Sequence, residues 1–276
     1  MSIKDDWING KGFPDTLVID GHIHIGAWPH NRTFRDADEA VDQSVKHLDA
    51  HGIDAFVSVG GGYQFTGTDH RYGNDFLLEV WQQIPDRLIP FLHVNPNAQK
   101  QEIADELERM LDAGVHGIKL INAYQEDYPG DGPNLMTVYE FAAKHGMCIL
   151  NHAWTEEVIM TISAEFPEVD FIFGHYGSGA DAALKACANV HANTWSYWPQ
   201  GTLDRGVANC GAENFMFGSD GFLNPLSVGI GPVVFAPISD EEKRLILGLN
   251  LARLLDKAGG LPTVLKNTYP EIEEAS

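Results

Sequence analysis

Short apolar runs alternate with helix-spaced apolar positions along almost the whole chain. The first run, Leu17 to Ile19, leads into Asp20-Gly21-His22-Ile23-His24-Ile25. From Ala37 to His51 the apolar residues Ala40, Val41, Val45 and Leu48 recur at three-to-four spacing, the period of an amphipathic helix. Ile53 to Val59 is a continuous apolar run closed by glycines, Asn74 to Ile84 a helix stopped by Pro85, and Leu88 to Val94 a strand ended by Asn95-Pro96. The same alternation continues with a helix over Lys100 to Ala113, a strand over Val115 to Ile121 and a helix over Leu135 to His145. Gly114 and Gly146 act as the helix stops. Next come a strand from Met147 to Trp154, a helix capped by Thr155 and running to Phe166, a strand from Asp170 to His175 and a helix from Ala180 to Ala188. The series closes with a strand over Val190 to Trp195, a short helix over Leu203 to Cys210 and a strand over Asn214 to Asp220. A Gly/Pro-rich loop from Gly221 to Pro237 and a last helix from Asp240 to Ala258 follow.

Near-continuous apolar strands separated by helices are the pattern of a parallel sheet covered by helices. Eight such units predict an α/β chain folded as one (β/α)₈ TIM barrel spanning residues 1–276 as a single domain. The runner-up is an open doubly wound sheet, but no Gly-x-Gly-x-x-Gly follows the first strand and no phosphate-loop motif is present.

Composition narrows the partners. A formal charge of −21 argues against nucleic acid and anionic membrane surfaces, which require basic patches. The run Val228 to Ile238 is too short and too interrupted to cross a bilayer. The start Met1-Ser2-Ile3-Lys4-Asp5-Asp6 carries acids where a secretion signal needs a basic, then apolar, segment, and three scattered cysteines suit a reducing compartment. The expected location is therefore the cytoplasm. A homo-oligomer is compatible with this composition, and nothing in the chain marks an interface.

The chemistry gathers where the strands end. In a barrel of this kind the active groups stand at the C-terminal ends of the strands. The first strand ends in His22 and His24, two residues apart and so on one face. The fifth ends in His152, the sixth in His175 and the eighth in Asp220. Three imidazoles and a carboxylate suit a divalent metal with one position left for water, and a further histidine near the ion can move protons. Spacing does not divide these roles among the four histidines.

The set Asp-Gly-His-Ile-His, Gly-Ile-Lys-Leu, Asn-His, Gly-His-Tyr-Gly and Phe-Gly-Ser-Asp resembles the amidohydrolase superfamily, in particular its amidohydrolase 2 branch of metal-dependent hydrolases and decarboxylases. Ile246 to Leu255 looks like that branch's final helix. The resemblance implies that His22, His24 and His152 bind one divalent ion, zinc first and manganese as the alternative, with no organic cofactor. Asp220 would contact the metal or its water and accept a proton, and His175 would act on the substrate. Lys119 would bind an anionic group of the substrate in a single-metal site; in some members a modified lysine on this strand bridges two ions instead.

The leading expectation is a hydrolase that opens an ester, lactone or amide of a small carboxylate-bearing molecule by means of a metal-activated water. The alternatives are a nonoxidative decarboxylase of an aromatic or unsaturated acid, and a barrel that binds metal or ligand without turnover. Trp28, Tyr176 and Trp195 follow strand ends and are expected as substrate walls. Tyr63, Asn95, Tyr124, Trp154 and Trp198 share that placement but read first as packing, His70 as a surface or helix-end residue, and His93 and His191 as packed within strands. Asp20 is expected to orient a ligand.

Overall fold

A computed structural model describes residues 2–26, 34–60, 70–152, 154–174, 180–195 and 200–273. Eight parallel strands follow one another in chain order around a TIM barrel: β1 Ile19–His24, β2 Ala55–Val59, β3 Leu88–His93, β4 Gly117–Leu120, β5 Cys148–Asn151, β6 Phe171–Phe173, β7 Val190–Asn193 and β8 Phe215–Met216. The seam between β8 and β1 is closed by backbone contacts beyond the short last strand. The Gly21 N–H donates to the Phe217 carbonyl at 2.8 Å, and the His24 N–H donates to the Gly221 carbonyl at 2.5 Å.

The main connecting helices begin and end where the chain chemistry dictates. Helix α1, Ile3–Ile8, precedes the barrel and was not foreseen. Helix α2, Ala37–His51, starts on Asp36, whose carboxylate accepts the Glu39 N–H at 2.9 Å, and stops at Gly52 with φ +68°. Then follow α3 His70–Gln83, α4 Lys100–Asp112, α5 Pro133–His145, α6 Glu156–Glu165, α7 Asp181–Ala186 and α8 Thr202–Cys210. Thr155 caps α6 as expected, its hydroxyl accepting the Val158 N–H at 3.3 Å.

Two stretches depart from the expectation. Within the segment from Gly221 to Pro237, Leu226–Val234 forms helix α9 despite Pro232 and two glycines, because Ile230, Val233 and Val234 bury against the barrel's outer core. Tertiary burial overrides the low helix propensity of those residues. The last helix is divided into α10 Asp240–Arg244, a π turn over Leu245–Leu249 and α11 Asn250–Ala258, followed by α12 Thr263–Thr268.

Alternate strand residues face two different cores. Ile118, Leu120, Ile149, Phe171 and Phe173 pack outward under the helices. Val57, Ile89, Phe91, Leu150, Ile172 and Met216 fill the interior, together with Leu251 and Leu255 of α11. Gly117 is needed there: a Cβ would stand 2.2 Å from the Phe91 ring. This packed floor supports the strand ends, so the polar groups above it rest on a rigid base.

Candidate metal centre

β1 carries an irregularity between Asp20 and Ile23, after which His22 and His24 share the interior rim with their Nε2 atoms 2.9 Å apart. Asp20 supports this bend from behind. Its Oδ1 accepts the backbone N–H groups of His22 at 3.1 Å and of Ser219 at 3.0 Å, tying β1 to the end of β8. Asp20 thus orients the backbone of His22. Burial pushes its carboxyl up to about 7, against the opposing pull of the bonds to Ser219 and His22.

Asp220 meets the pair from the far side of the seam. Its Oδ1 lies 3.2 Å from His24 Nε2 and 3.8 Å from His22 Nε2. The residue adopts a left-handed backbone, φ +58°, which aspartate tolerates better than most side chains. Its carbonyl accepts the Leu223 and Asn224 N–H groups, both at 3.1 Å, and its Oδ2 accepts from Asn224 Nδ2 at 3.2 Å, which fixes the turn.

Donor atoms of His22, His24 and Asp220 all lie within 4.8 Å of one another. Ligands about 2.0–2.2 Å from one ion stand roughly 3–3.5 Å apart, so separations of 2.9, 3.2 and 3.8 Å fit a shared cation. Burial holds His24 below its ordinary pKa although Asp220 pulls the other way; this favours the neutral imidazole that ligates metal. His152, at the end of β5, stands outside this tight group. Its ring lies 5.7 Å from Trp195, which meets His22 edge-on at 3.5 Å between centroids.

Lys119 is fully buried on β4. Its Nζ lies 3.5 Å from His22 Nε2 and 4.9 Å from the Trp195 ring centroid. Burial pushes the ammonium pKa down to about 7, with the Asp220 charge opposing. Trp195 is 1% exposed and fits because Gly174 leaves room: a Cβ there would stand 2.7 Å from the indole. Its ring lies against those of His22 and His152 and against the Lys119 ammonium. Trp28, His175 and Tyr176 lie outside the described residues.

Two further histidines are buried, His93 as expected of a residue packed within its strand. His93 faces the interior beside Lys119, its strand partner, with Nε2 3.1 Å from Gln125 Nε2. His70, expected at the surface or a helix end, opens α3 and is buried there, 8% exposed, accepting the Asn95 N–H at 3.1 Å. No signal marked the burial of His70, since it opens a helix whose start was placed four residues later.

Comparison with known proteins gives the family and the fold. The family model described as Amidohydrolase matches residues 19–257. No curated protein matches the chain by sequence. Among solved structures, 5-carboxyvanillate decarboxylase from Sphingomonas paucimobilis is similar with TM-score 0.70 and 16% identity, over 87% of this chain and 99% of that one. 4-Oxalomesaconate hydratase from Rhodopseudomonas palustris gives TM-score 0.70 and 15% identity, over 92% and 100%. Dihydroxybenzoic acid decarboxylase from Polaromonas sp. JS666, with bound manganese and the inhibitor 2-nitroresorcinol, gives 0.66 and 15%, over 87% and 97%. At these identities the likeness shows the barrel. No helix among the described residues is long and apolar enough to cross a membrane.

Proposed function

The chain belongs to the amidohydrolase family, and we propose that it is a metal-dependent enzyme that decarboxylates a small aromatic or unsaturated acid without oxidation. The observation that carries this reading is the buried Lys119 ammonium facing the donor group of His22, His24 and Asp220. A cation out of water needs an anion, and a substrate carboxylate at this position would be held beside the metal ligands. The decarboxylases among the similar structures favour the same reading over hydrolysis.

His22, His24 and Asp220 would hold the ion, with His152 as the further imidazole that the family resemblance implies. When bound, a divalent ion supplies Lewis acidity, polarising a substrate oxygen. Lys119 binds and orients the carboxylate. The bond from carboxyl carbon to the conjugated carbon breaks, its electron pair stays on the conjugated carbon, carbon dioxide leaves and a proton joins that carbon. Asp220, whose side chain is 14% exposed, would hold that proton on a carboxylate oxygen, and His175 is the second candidate to deliver it. Trp195, buried against Lys119, excludes water from one side of the ammonium.

Hydrolysis of an ester, lactone or amide by a water activated at the metal is the second reading. There Asp220 would take a proton from water instead of giving one to carbon. Zinc and manganese are both compatible with two imidazoles and a carboxylate. The deciding experiment incubates metal-loaded protein with hydroxybenzoates and unsaturated diacids, and separately with a lactone panel. Carbon dioxide release supports decarboxylation; acid production from a lactone with no carbon dioxide from the acids overturns it.

A further inference from the structure

Tyr124 is 51% exposed at the barrel rim, and its ring lies 4.9 Å from that of His152 at an interplanar angle of 59°. An exposed tyrosine is ordinary by itself. This one is presented by a turn that is held at every point. The segment Asn122–Tyr124 is a single 3₁₀ turn directly after β4, with the Tyr124 N–H donating to the Ile121 carbonyl at 2.9 Å. Asn122 is 7% exposed and spans two neighbours. Its Oδ1 accepts from Trp154 Nε1 at 2.7 Å, and its Nδ2 donates to the Tyr128 carbonyl at 2.5 Å. Such anchoring is more than a solvent-facing ring requires.

The turn also leaves the strand that carries Lys119, so the ammonium and the phenol ring come from one short segment. Lys119 stands at depth beside His22, and Tyr124 stands at the mouth beside His152. Trp195 borders both Lys119 and His152, so an acid whose carboxylate reaches Lys119 would carry its carbon skeleton towards the His152 and Tyr124 rings. A flat conjugated skeleton can lie against the Tyr124 ring, whereas a puckered saturated one cannot match that face.

We propose that Tyr124 is a specificity-determining residue that selects a planar conjugated skeleton at the mouth of the site. The inference rests on the carboxylate-binding reading of the site, and its test separates the two. Metal-loaded protein is titrated calorimetrically with benzoate and with cyclohexanecarboxylate, acids of similar size that differ in planarity. The wild type is expected to bind benzoate about five-fold more tightly, the scale of one aromatic contact. Tyr124→Ala abolishes that gap, and Tyr124→Phe, which keeps the ring, retains it. A gap that survives in Tyr124→Ala, or equal binding of both acids by the wild type, overturns the role of Tyr124 alone. Binding of neither acid by the wild type overturns the carboxylate site and Tyr124 with it. Thermal melting of both variants within a few degrees of wild type shows that the rim turn is intact, and loss of folding in Tyr124→Ala leaves Tyr124→Phe and the wild-type gap as the deciding comparisons.

Discussion

Lys119 Nζ lies 3.5 Å from His22 Nε2, above the face of Trp195, with no ion pair to a carboxylate within bonding distance among the described residues. A buried cation in this position costs stability and is useful only if something anionic arrives. Lys119→Met keeps the length of the side chain and removes the charge. The expected result is an unchanged or higher melting temperature together with a loss of at least about 100-fold in kcat/KM on the substrate acid. Retained turnover would remove Lys119 from substrate binding.

His93 sets a pH dependence. Burial, and then the charges of His70 and Lys119, lower its pKa to about 3 from an ordinary 6.5. Between those values the unfolded chain binds the proton and the folded chain does not, so stability falls as pH drops through this window. From pH 7 to pH 5 this group alone should cost about 2 kcal/mol. Denaturant unfolding of His93→Gln should show a correspondingly smaller loss over that interval. An identical loss in variant and wild type would show that His93 is not held neutral.

Gly21 holds the seam on which the centre depends. A Cβ there would meet the Phe217 carbonyl oxygen at 2.9 Å and Asn193 Nδ2 at 2.8 Å. Backbone cannot yield cheaply, so Gly21→Ala is expected to cost about 2 kcal/mol or more, a fall in melting temperature of roughly 5 °C. It should also weaken metal binding, because His22 and Asp220 approach across this seam. Differential scanning fluorimetry with and without added metal reads both effects.

His175→Asn tests the proton-moving role. With the metal content of the variant equal to that of wild type by elemental analysis, turnover should be abolished. Normal activity in such a protein takes His175 out of the mechanism.

The barrel was legible because each strand is an apolar run and each helix keeps its period, as in α2, whose ends match the expected Ala37 and His51. The pairing of His22 with His24 was legible for the same reason, since a two-residue spacing puts both on one face. Asp220 was found by following strand ends, although its approach to His24 depends on a left-handed backbone that spacing does not reveal. What could not be read was contact at a distance. Tyr124 looked like packing until its exposure and its neighbour His152 were placed together. Trp195, expected as a wall open to substrate, is enclosed because Gly174, on the neighbouring strand, makes room for it. Helix α9 was hidden by Pro232 and its two glycines, whose cost is offset by burial.

The measurement that bears most directly on the whole account is the metal content and affinity of wild type against His24→Ala and Asp220→Asn, by elemental analysis after dialysis and by calorimetric titration with zinc and manganese. The account predicts one ion per chain in wild type and affinity lowered at least about 10-fold in each variant. Unchanged stoichiometry and affinity in both variants would contradict it.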